Sequence, residues 1–326
     1  MKMQSYWMEV TAGQANLQLK TCDVPSPGAG QVLIKVKATS LNRGEFLLEH
    51  GLHGEGTAKP IGIEAAGIVQ ACGPGVTQLK PGDEVLGRCK GGFSEYAVMD
   101  VAEAIPKPAS LTWEQSASLA LTYLTAYDCL VIQGRISPGE WVLIPGVSSG
   151  VGVSALGIAK ALGAKVIGTS GSQHKLDKLM PLGLDIGICL RGPGFHEQVM
   201  QVTGQKGVDI VVNTVGGTVF EECLASMAFQ GRLATVGYVD NVVESRIDLK
   251  LLHARRLTIF GVSNKQRTAA QKAEAVPQFK QQIMPFFEQG KIVPLVDKVF
   301  AFQDLALAIA RMQASEHVGK IVLLAP

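Results

Sequence analysis

The turn at residues 145–152 is the part of this sequence best suited to hold a charged ligand. It reads PGVSSGVG, and its small residues would let backbone N–H groups approach a pyrophosphate closely at the start of a helix. The strict G-x-G-x-x-G pattern is absent, because Val147 and Ser149 stand where its first two glycines would fall before Gly152. The turn predicts a dinucleotide site, and the alternative is an ordinary strand-turn-helix connection.

The residues at 169–175 indicate which dinucleotide would bind. They read TSGSQHK, and the next acidic residue is Asp177. A site for NAD usually has Asp or Glu here to accept hydrogen bonds from the ribose 2′-hydroxyl. A carboxylate would repel a 2′-phosphate, whereas hydroxyl groups and a lysine would bind it. The sequence therefore favours NADPH, with Ser170 and Lys175 as candidate contacts, and the alternative is a solvated loop with one surface lysine.

Two strands and a helix must position the turn, and the sequence predicts all three. An apolar run at 141–144 has the composition of a buried parallel strand. A helical pattern at 153–162 stops at Gly163, and a second strand at 165–168 completes a βαβ unit. Further buried strands are predicted at 208–213, 232–237 and 257–262. Because helical segments alternate with these strands, we expect an α/β fold with a doubly wound parallel sheet.

The first 125 or so residues have a different pattern. Short segments of strand character, such as 31–37 and 84–87, are separated by turn clusters rich in Pro and Gly. This pattern predicts a β-rich, barrel-like domain. A helical stretch with Thr112 as its cap is predicted to follow.

Composition restricts the class of protein. The 326 residues are 47% hydrophobic and 18% charged, which is typical of a compact enzyme large enough for two domains. The net charge of +2 and the lack of long runs of one sign argue against nucleic acid or an anionic membrane as a partner. The N-terminus has no secretory pattern, no apolar span could cross a bilayer, and the six cysteines form no C-x-x-C. We expect a cytoplasmic protein.

Seven short motifs of one known family occur in this chain, in the order and spacing that they have in that family. They lie at residues 40–45, 60–69, 80–85, 91–96, 124–127, 148–152 and 319–323. With them the chain resembles the zinc-less quinone oxidoreductase (zeta-crystallin-like) branch of the medium-chain dehydrogenase/reductase superfamily. The resemblance implies a GroES-like β-barrel catalytic domain at 1–126, a Rossmann NADP-binding domain at 127–264, and a C-terminal segment at 265–326 that returns to the catalytic domain. Short-chain dehydrogenases are excluded, because no tyrosine here has a lysine four positions on.

The resemblance also bears on metal binding. Zinc-dependent relatives have Cys and His at the positions of Asn42 and Ile63, and their third ligand position falls near Leu121. None of these three residues supplies a zinc ligand, and Glu64 alone does not hold a metal. No metal is therefore expected. Without a Lewis acid to stabilise an alkoxide, alcohol oxidation is not expected either.

The resemblance assigns roles to individual residues. Asn42 would bond to the nicotinamide or the substrate, and Thr125 would lie on the nicotinamide side. The remaining cofactor contacts would be Ser148, Ser149, Gly150, Val151 and Gly152 on the pyrophosphate, Ser170 and Lys175 on the 2′-phosphate, Thr214, Val215, Gly237, Phe260, Gly261 and Val262 at the strand ends, and Lys320 near the phosphates. A tyrosine that commonly flanks the phosphate site appears as Leu190, and Arg191 beside it could replace its contact.

Three residues are catalytic candidates: Asn42, Arg43 and His53. His53 would donate a proton or stabilise charge, because histidine titrates near neutrality, and the alternative is a solvated loop histidine. Arg43 would bind an acidic group of the substrate, and the alternative is a salt bridge to Glu45 or Glu64.

The function expected from these observations is NADPH-dependent hydride transfer to a quinone. The first alternative is reduction of the double bond of an enone, an enal or an enoyl thioester. The second is an NADPH-binding sensor or structural protein with little turnover. The apolar strand at 257–262 is expected at a sheet edge, where relatives commonly pair with a second copy, so we expect a homodimer.

Overall fold

The computed structural model describes residues 1–46, 55–56 and 58–326. These residues form two compact units, which we call unit 1 (residues 1–121 with 265–326) and unit 2 (residues 122–264). In the described part of the chain, no helix is long and apolar enough to cross a membrane.

The N-terminal part of unit 1 is formed by short strands, as the turn-rich sequence predicts. They are β1 (Lys2–Thr11), β2 (Gln14–Asp23), β3 (Gln31–Ser40), β4 (Ala58–Pro60), β5 (Glu64–Cys72), β6 (Glu84–Arg88), β7 (Tyr96–Asp100) and β8 (Ile105–Pro106), followed by helix α1 (Trp113–Ala117). Helix α2 (Ala120–Tyr127) begins at the end of this segment, and its residues from 122 onward belong to unit 2. A 3₁₀ turn at Arg43–Glu45 follows β3. Thr112 caps α1 through a capping box, which confirms the predicted cap.

Unit 2 contains a six-stranded sheet in which every pairing is parallel. Its elements are β9 (Trp141–Pro145), α3 (Gly150–Ala161), β10 (Lys165–Ser170), α4 (Gln173–Leu179), β11 (Ile186–Cys189), α5 (His196–Val202), β12 (Val208–Asn213), α6 (Phe220–Ala225), β13 (Met227–Thr235), α7 (Leu249–Arg255) and β14 (Thr258–Gly261). The strand order is β11-β10-β9-β12-β13-β14. This order reverses direction at β9, as in a doubly wound Rossmann sheet, so the predicted fold class is confirmed.

The C-terminal residues complete unit 1. They form α8 (Ala269–Ala273), α9 (Ala275–Gln282), α10 (Met284–Glu288), β15 (Val296–Phe300), α11 (Leu305–Gln313) and β16 (Lys320–Leu324). Strand β16 pairs with β3 in the sheet β15-β16-β3-β5-β6-β8, and Val322 lies opposite Ser40. This pairing places the start of β16 beside the residues that follow β3.

Each unit has its own apolar core. In unit 1, one cluster joins β1 to the C-terminal segment through Tyr6, Phe93, Phe302 and Leu323. In unit 2, a cluster that includes Leu143, Ile167, Val211 and Leu233 covers one face of the parallel sheet. These buried strands hold the loops at their carboxyl ends in fixed positions, where ligands bind in sheets of this kind.

Candidate functional site

The glycine-rich turn of unit 2 ends at Ser149, which caps α3. The Ser149 Oγ accepts a hydrogen bond from Gly152 N at 3.1 Å, and the Ser149 backbone oxygen accepts the first helical bond, from Val153 N at 2.9 Å. The N–H groups of Gly150 and Val151 come before that first bond, so the helix itself offers them no acceptor. Such N–H groups, together with the helix dipole, can hold a pyrophosphate.

Close backbone packing fixes the shape of this turn. A Cβ atom at Gly152 would lie 2.7 Å from the backbone oxygens of both Gly146 and Val147. A Cβ atom at Gly168 on β10 would lie 2.6 Å from Cγ1 of Val147, which is fully buried. The turn therefore packs closely against the βαβ unit, and neither Gly152 nor Gly168 could carry a side chain without a shift of neighbouring atoms. The residues present fit a dinucleotide phosphate cradle.

The end of β10 carries the groups expected to bind a 2′-phosphate. Ser170 Oγ lies 3.4 Å from Ser148 Oγ, so the turn and the strand end meet. The side chain of Arg191 covers Gly171, because a Cβ atom there would lie 2.9 Å from Arg191 Nε. Lys175 lies in the first turn of α4. A hydroxyl and two cationic side chains, with no acidic residue at 169–175, suit a phosphate.

Arg191 gains its position from strand pairing. Ser170 lies opposite Cys189 in the pairing of β10 with β11, and Leu190 N donates to Ser170 O at 2.9 Å. From the sequence, Arg191 is predicted as a residue that could replace the phosphate-site contact of the tyrosine found at the position of Leu190 in relatives. The structure places its side chain over the residue that follows Ser170, which makes it a stronger candidate for the phosphate.

Thr214 connects the end of β12 to the glycine-rich turn. Its Oγ1 donates to Pro145 O at 2.8 Å and accepts from Ser149 Oγ at 3.4 Å. The loop that follows is fixed by the buried Asn213, whose Oδ1 accepts from the N–H groups of Val215 and Gly216 at 3.0 and 3.1 Å. Asn213 is not among the site residues predicted from the sequence, although an asparagine at a strand end before two glycines is a signal for such a loop.

The other candidates of unit 2 are placed by the same sheet. Because all six strands are parallel, the residues after β10, β12, β13 and β14 lie at one edge, and they include Val215, Gly237 and Val262. Phe260 and Gly261 are the last residues of β14. Thr125 lies in α2 and is half-buried. Their contacts with a cofactor stay predictions.

Unit 1 contains a buried polar cluster around Glu64, which is fully buried. The Glu64 Oε1 accepts from Ser40 Oγ at 2.7 Å, Asn42 Nδ2 at 2.8 Å and Lys320 Nζ at 2.9 Å. The Oε2 accepts from Leu121 N at 2.7 Å. Four donors thus satisfy this carboxylate, as burial of a charge requires.

Lys320 and Asn42 are held by the same cluster. The Lys320 ammonium donates to Leu41 O at 2.9 Å, Asn42 Oδ1 at 2.6 Å and Glu64 Oε1 at 2.9 Å. These acceptors occupy all three N–H bonds of the ammonium, so a contact with a cofactor phosphate would require one bond to be given up. The predicted phosphate role of Lys320 stays a prediction, and the structure gives it a position inside unit 1.

Glu45 is a second buried carboxyl in this cluster. Its Oε1 accepts from Gly62 N at 3.1 Å, and its Oε2 accepts from Asn42 Nδ2 at 3.3 Å. Burial raises the pKa of Glu45 to about 8, opposed by the hydrogen bond from Asn42 and reinforced by the charge of Glu64. From the sequence alone, Glu45 is expected only as a partner of Arg43.

Arg43 points to a different part of unit 1. Its Nη2 donates to Met312 O and to Ser315 Oγ, both at 2.9 Å. The guanidinium therefore binds the end of α11, and neither of the salt bridges considered from the sequence is among the contacts that the structure gives it. Its role toward a substrate stays a prediction. His53 lies outside the described residues.

The residues at the zinc-ligand positions of the relatives do not fit a metal ion. The Asn42 amide is engaged by Lys320, Glu64 and Glu45, and Leu121 contributes its backbone N–H. An ammonium already lies 2.9 Å from the Glu64 carboxylate, where a metal would meet positive charge. In the described part of the chain, no group of three or more His, Cys, Asp or Glu side chains could hold a metal.

Two family models match the chain. The Alcohol dehydrogenase GroES-like domain matches residues 28–109, and Zinc-binding dehydrogenase matches residues 150–280. Among curated proteins, the chain is 32% identical over 314 residues to the mycocerosic acid synthase-like polyketide synthase of Mycobacterium tuberculosis. That match covers 95% of the chain but only 15% of the synthase.

Solved structures match over nearly the whole chain. Mycobacterial Rv1454c complexed with NADPH has a TM-score of 0.86 and 28% identity, with 99% of each chain covered. A mycobacterial quinone oxidoreductase has a TM-score of 0.84 and 28% identity, again with 99% of each chain covered. CurK enoyl reductase has a TM-score of 0.85 and 29% identity over 99% of each chain. An NAD-dependent alcohol dehydrogenase has a TM-score of 0.85 and 30% identity over 99% of this chain and 100% of its own.

Proposed function

Because the chain belongs to the medium-chain dehydrogenase/reductase superfamily, we propose that it is a zinc-independent oxidoreductase that uses NADPH to reduce a quinone. The observation that carries this proposal is the pair of sites described above. Unit 2 has a turn that fits a phosphate, with the Ser170 hydroxyl at the end of its second strand and the cationic side chains of Lys175 in α4 and Arg191 after β11. In unit 1, the positions at which relatives bind zinc are engaged in a cluster of hydrogen bonds around Glu64 and Lys320.

The residues of unit 2 bind and orient the cofactor. Ser149 holds the start of α3 so that the free N–H groups of Gly150 and Val151 meet the pyrophosphate. Ser170 and Arg191 bind the 2′-phosphate, which NADH lacks. NADPH when bound supplies the hydride. The mycobacterial neighbour crystallised with NADPH supports this choice of dinucleotide.

The acceptor must accept a hydride without help from a metal. A quinone suits this requirement, because the negative charge that develops on its oxygen is delocalised over the ring. Asn42 is the candidate to bond to the nicotinamide or the acceptor, and its amide is held in place by Lys320, Glu64 and Glu45. Preorganised donors of this kind lower the barrier by fixing geometry before the reaction.

A second candidate is reduction of a carbon–carbon double bond conjugated to a carbonyl. The observation that favours it is the 29% identity with CurK enoyl reductase over 99% of each chain, together with the match to a polyketide synthase. The hydride would then add to the β-carbon of an enone, an enal or an enoyl thioester, and the charge would develop on the carbonyl oxygen in the same way.

The experiment that tests the proposal is oxidation of NADPH with several acceptors in parallel. We would compare 1,4-benzoquinone, 9,10-phenanthrenequinone, an enone and crotonyl-CoA, with NADH as the cofactor control and EDTA as the metal control. Turnover that requires NADPH, resists EDTA and is fastest on a quinone is the expected result. Faster turnover of the enone or thioester would favour the second candidate. Binding of NADPH without turnover on any acceptor would favour a sensor or structural protein.

A further inference from the structure

Two buried carboxyl groups of unit 1, Glu45 and Glu64, lie in a cluster with the ammonium group of Lys320, which pairs with Glu64. Glu45 is 1% exposed and Glu64 is fully buried, while Lys320 is 6% exposed. Lys320 Nζ lies 2.9 Å from Glu64 Oε1, so this ion pair is neutral by itself. Glu45 accepts hydrogen bonds from two neutral groups, the Asn42 amide and Gly62 N, and forms no ion pair among those the described residues contain.

The amide of Asn42 connects all three of these groups. Its Oδ1 accepts from Lys320 at 2.6 Å, and its Nδ2 donates to Glu64 at 2.8 Å and to Glu45 at 3.3 Å. The Lys320 ammonium can face only the amide oxygen and the Glu64 carboxylate can face only the amide nitrogen, so the orientation of Asn42 is fixed. Each change of charge in the cluster therefore acts on Asn42.

The charges around Glu45 disfavour its ionised form. Among the residues that the structure describes, the titratable groups that act on Glu45 are Glu64 from β5, Lys320 from β16 and Cys89 just after β6. Lys320 is the one cation among these three, and Glu64 already pairs with it. A second buried carboxylate would leave an uncompensated charge, which is expensive in a protein interior. A protonated carboxyl keeps lone pairs on both oxygens, so the bonds from Asn42 and Gly62 survive protonation.

We propose that Glu45 is a positioning residue for Asn42 that holds a proton at neutral pH, so that the cluster stays uncharged overall and the Asn42 amide stays in place. This proposal rests on the function proposed above, in which Asn42 contacts the nicotinamide or the acceptor. When Glu45 loses its proton, two carboxylates compete for Lys320. The Asn42 oxygen then loses its donor, and hydride transfer slows.

The first test needs no turnover. The protein labelled with ¹³C at the glutamate side-chain carboxyl would be titrated by NMR in the absence of cofactor. We expect one buried carboxyl to titrate with a midpoint of about 8, and Glu45→Gln to remove that resonance. The proposal would be overturned if the resonance that Glu45→Gln removes titrates in the ordinary glutamate range, around pH 4 to 5.

The second test uses the pH profile of kcat. A glutamine at position 45 mimics the protonated carboxyl, so Glu45→Gln should keep kcat at pH 7 within about threefold, since at most one neutral hydrogen bond is lost. We expect the kcat of the wild type to decline above about pH 8, where Glu45 loses its proton. This decline should be absent in Glu45→Gln. Glu45→Ala removes both bonds and should lower kcat about tenfold at every pH, with little change in the Kd of NADPH. An alkaline decline that persists unchanged in Glu45→Gln would contradict the proposal.

The matched control is Glu103→Gln. Glu103 is also a buried glutamate of unit 1 whose pKa is raised by burial, but it pairs with Arg88 at 2.6 Å. This variant should lose stability and keep the alkaline decline in kcat. If NADPH binds but no acceptor is reduced, the proposed function fails, whereas the carboxyl titration still supports or overturns the assignment of the proton to Glu45.

Discussion

The Lys320 ammonium lies 2.9 Å from the Glu64 carboxylate, and both groups are buried in unit 1 although 256 residues separate them in sequence. Removing one partner of a buried ion pair leaves the other charge without compensation. Substitutions at this pair therefore measure how much the polar cluster stabilises the packing of β16 against the residues that follow β3.

Lys320→Met is predicted to destabilise the protein by about 3–5 kcal/mol, because it strands the Glu64 carboxylate in the interior. Urea unfolding followed by circular dichroism would measure the change. The double variant with Glu64→Gln should recover part of the loss, since no unpaired charge remains. Lys2→Met is the control, because Lys2 and Asp23 form an exposed pair worth at most about 1 kcal/mol. Equal effects of the two lysine substitutions would contradict the importance of burial.

Gly152→Ala is predicted to destabilise unit 2 by about 1–3 kcal/mol and to weaken NADPH binding, because the added Cβ would lie 2.7 Å from two backbone oxygens that cannot move easily. Chemical denaturation and cofactor fluorescence would measure the two effects. Gly261→Ala is the control for stability, since a Cβ there meets nothing within 4 Å and the residue has no positive φ. A stable Gly152→Ala protein that binds NADPH normally would show that the turn is not a tight cradle.

The sequence predicts the βαβ unit well because its signals are local. Strands expected at 141–144 and 165–168 are observed at Trp141–Pro145 and Lys165–Ser170, and the helix expected at 153–162 is observed at Gly150–Ala161. Apolar runs and glycine stops depend only on neighbouring residues, so they can be read directly. The helix begins three residues earlier than its apolar pattern, since the cap at Ser149 and not the first apolar residue sets its start.

The polar cluster of unit 1 could not be predicted in the same way. Asn42 and Lys320 are 278 residues apart, and they meet because β16 pairs with β3. No periodicity in either segment specifies that register. The partners of Arg43 and the position of Arg191 follow from similar contacts between separate elements. The sequence therefore leaves alternatives open for Arg43, and for Arg191 it suggests a phosphate-site contact without its position over Gly171.

Arg191→Ala is predicted to raise the Kd of NADPH about 10- to 100-fold while that of NADH changes little, because a charge-assisted hydrogen bond to the 2′-phosphate is worth about 1.5–3 kcal/mol. Fluorescence titration with each dinucleotide would measure the two constants. Lys206→Ala is the control, because Lys206 is an exposed cation just before β12, at the opposite edge of the same sheet. Equal weakening of both dinucleotides by Arg191→Ala would place this side chain elsewhere than at the 2′-phosphate.

Strand β14 is predicted to pair with β14 of a second copy. It is the last strand of the parallel sheet, so one of its edges has no partner strand among the described residues. Open edges of this kind bind a further strand, and a two-fold axis lets the same strand serve both copies. Light scattering should give twice the 34.5 kDa of one chain. Thr258→Lys, which adds a charge to this edge, should shift the mass to that of a monomer. A monomeric wild-type protein would refute the prediction.

The free energy of unfolding is predicted to fall as pH rises from about 4.5 to about 8. The loss of a proton from Glu45 alone lowers it by as much as about 5 kcal/mol over this interval. The pKa of Glu45 is higher in the folded chain than the ordinary 4.5, so the folded state binds more protons than the unfolded state between these values. The stabilising contribution is complete below pH 4.5, decreases through the interval and is absent above pH 8. Urea unfolding of the wild type and of Glu45→Gln at several pH values would isolate it, because groups other than Glu45 contribute equally to both proteins. A difference in unfolding free energy between the two proteins that does not vary with pH would show that Glu45 is ionised throughout this range.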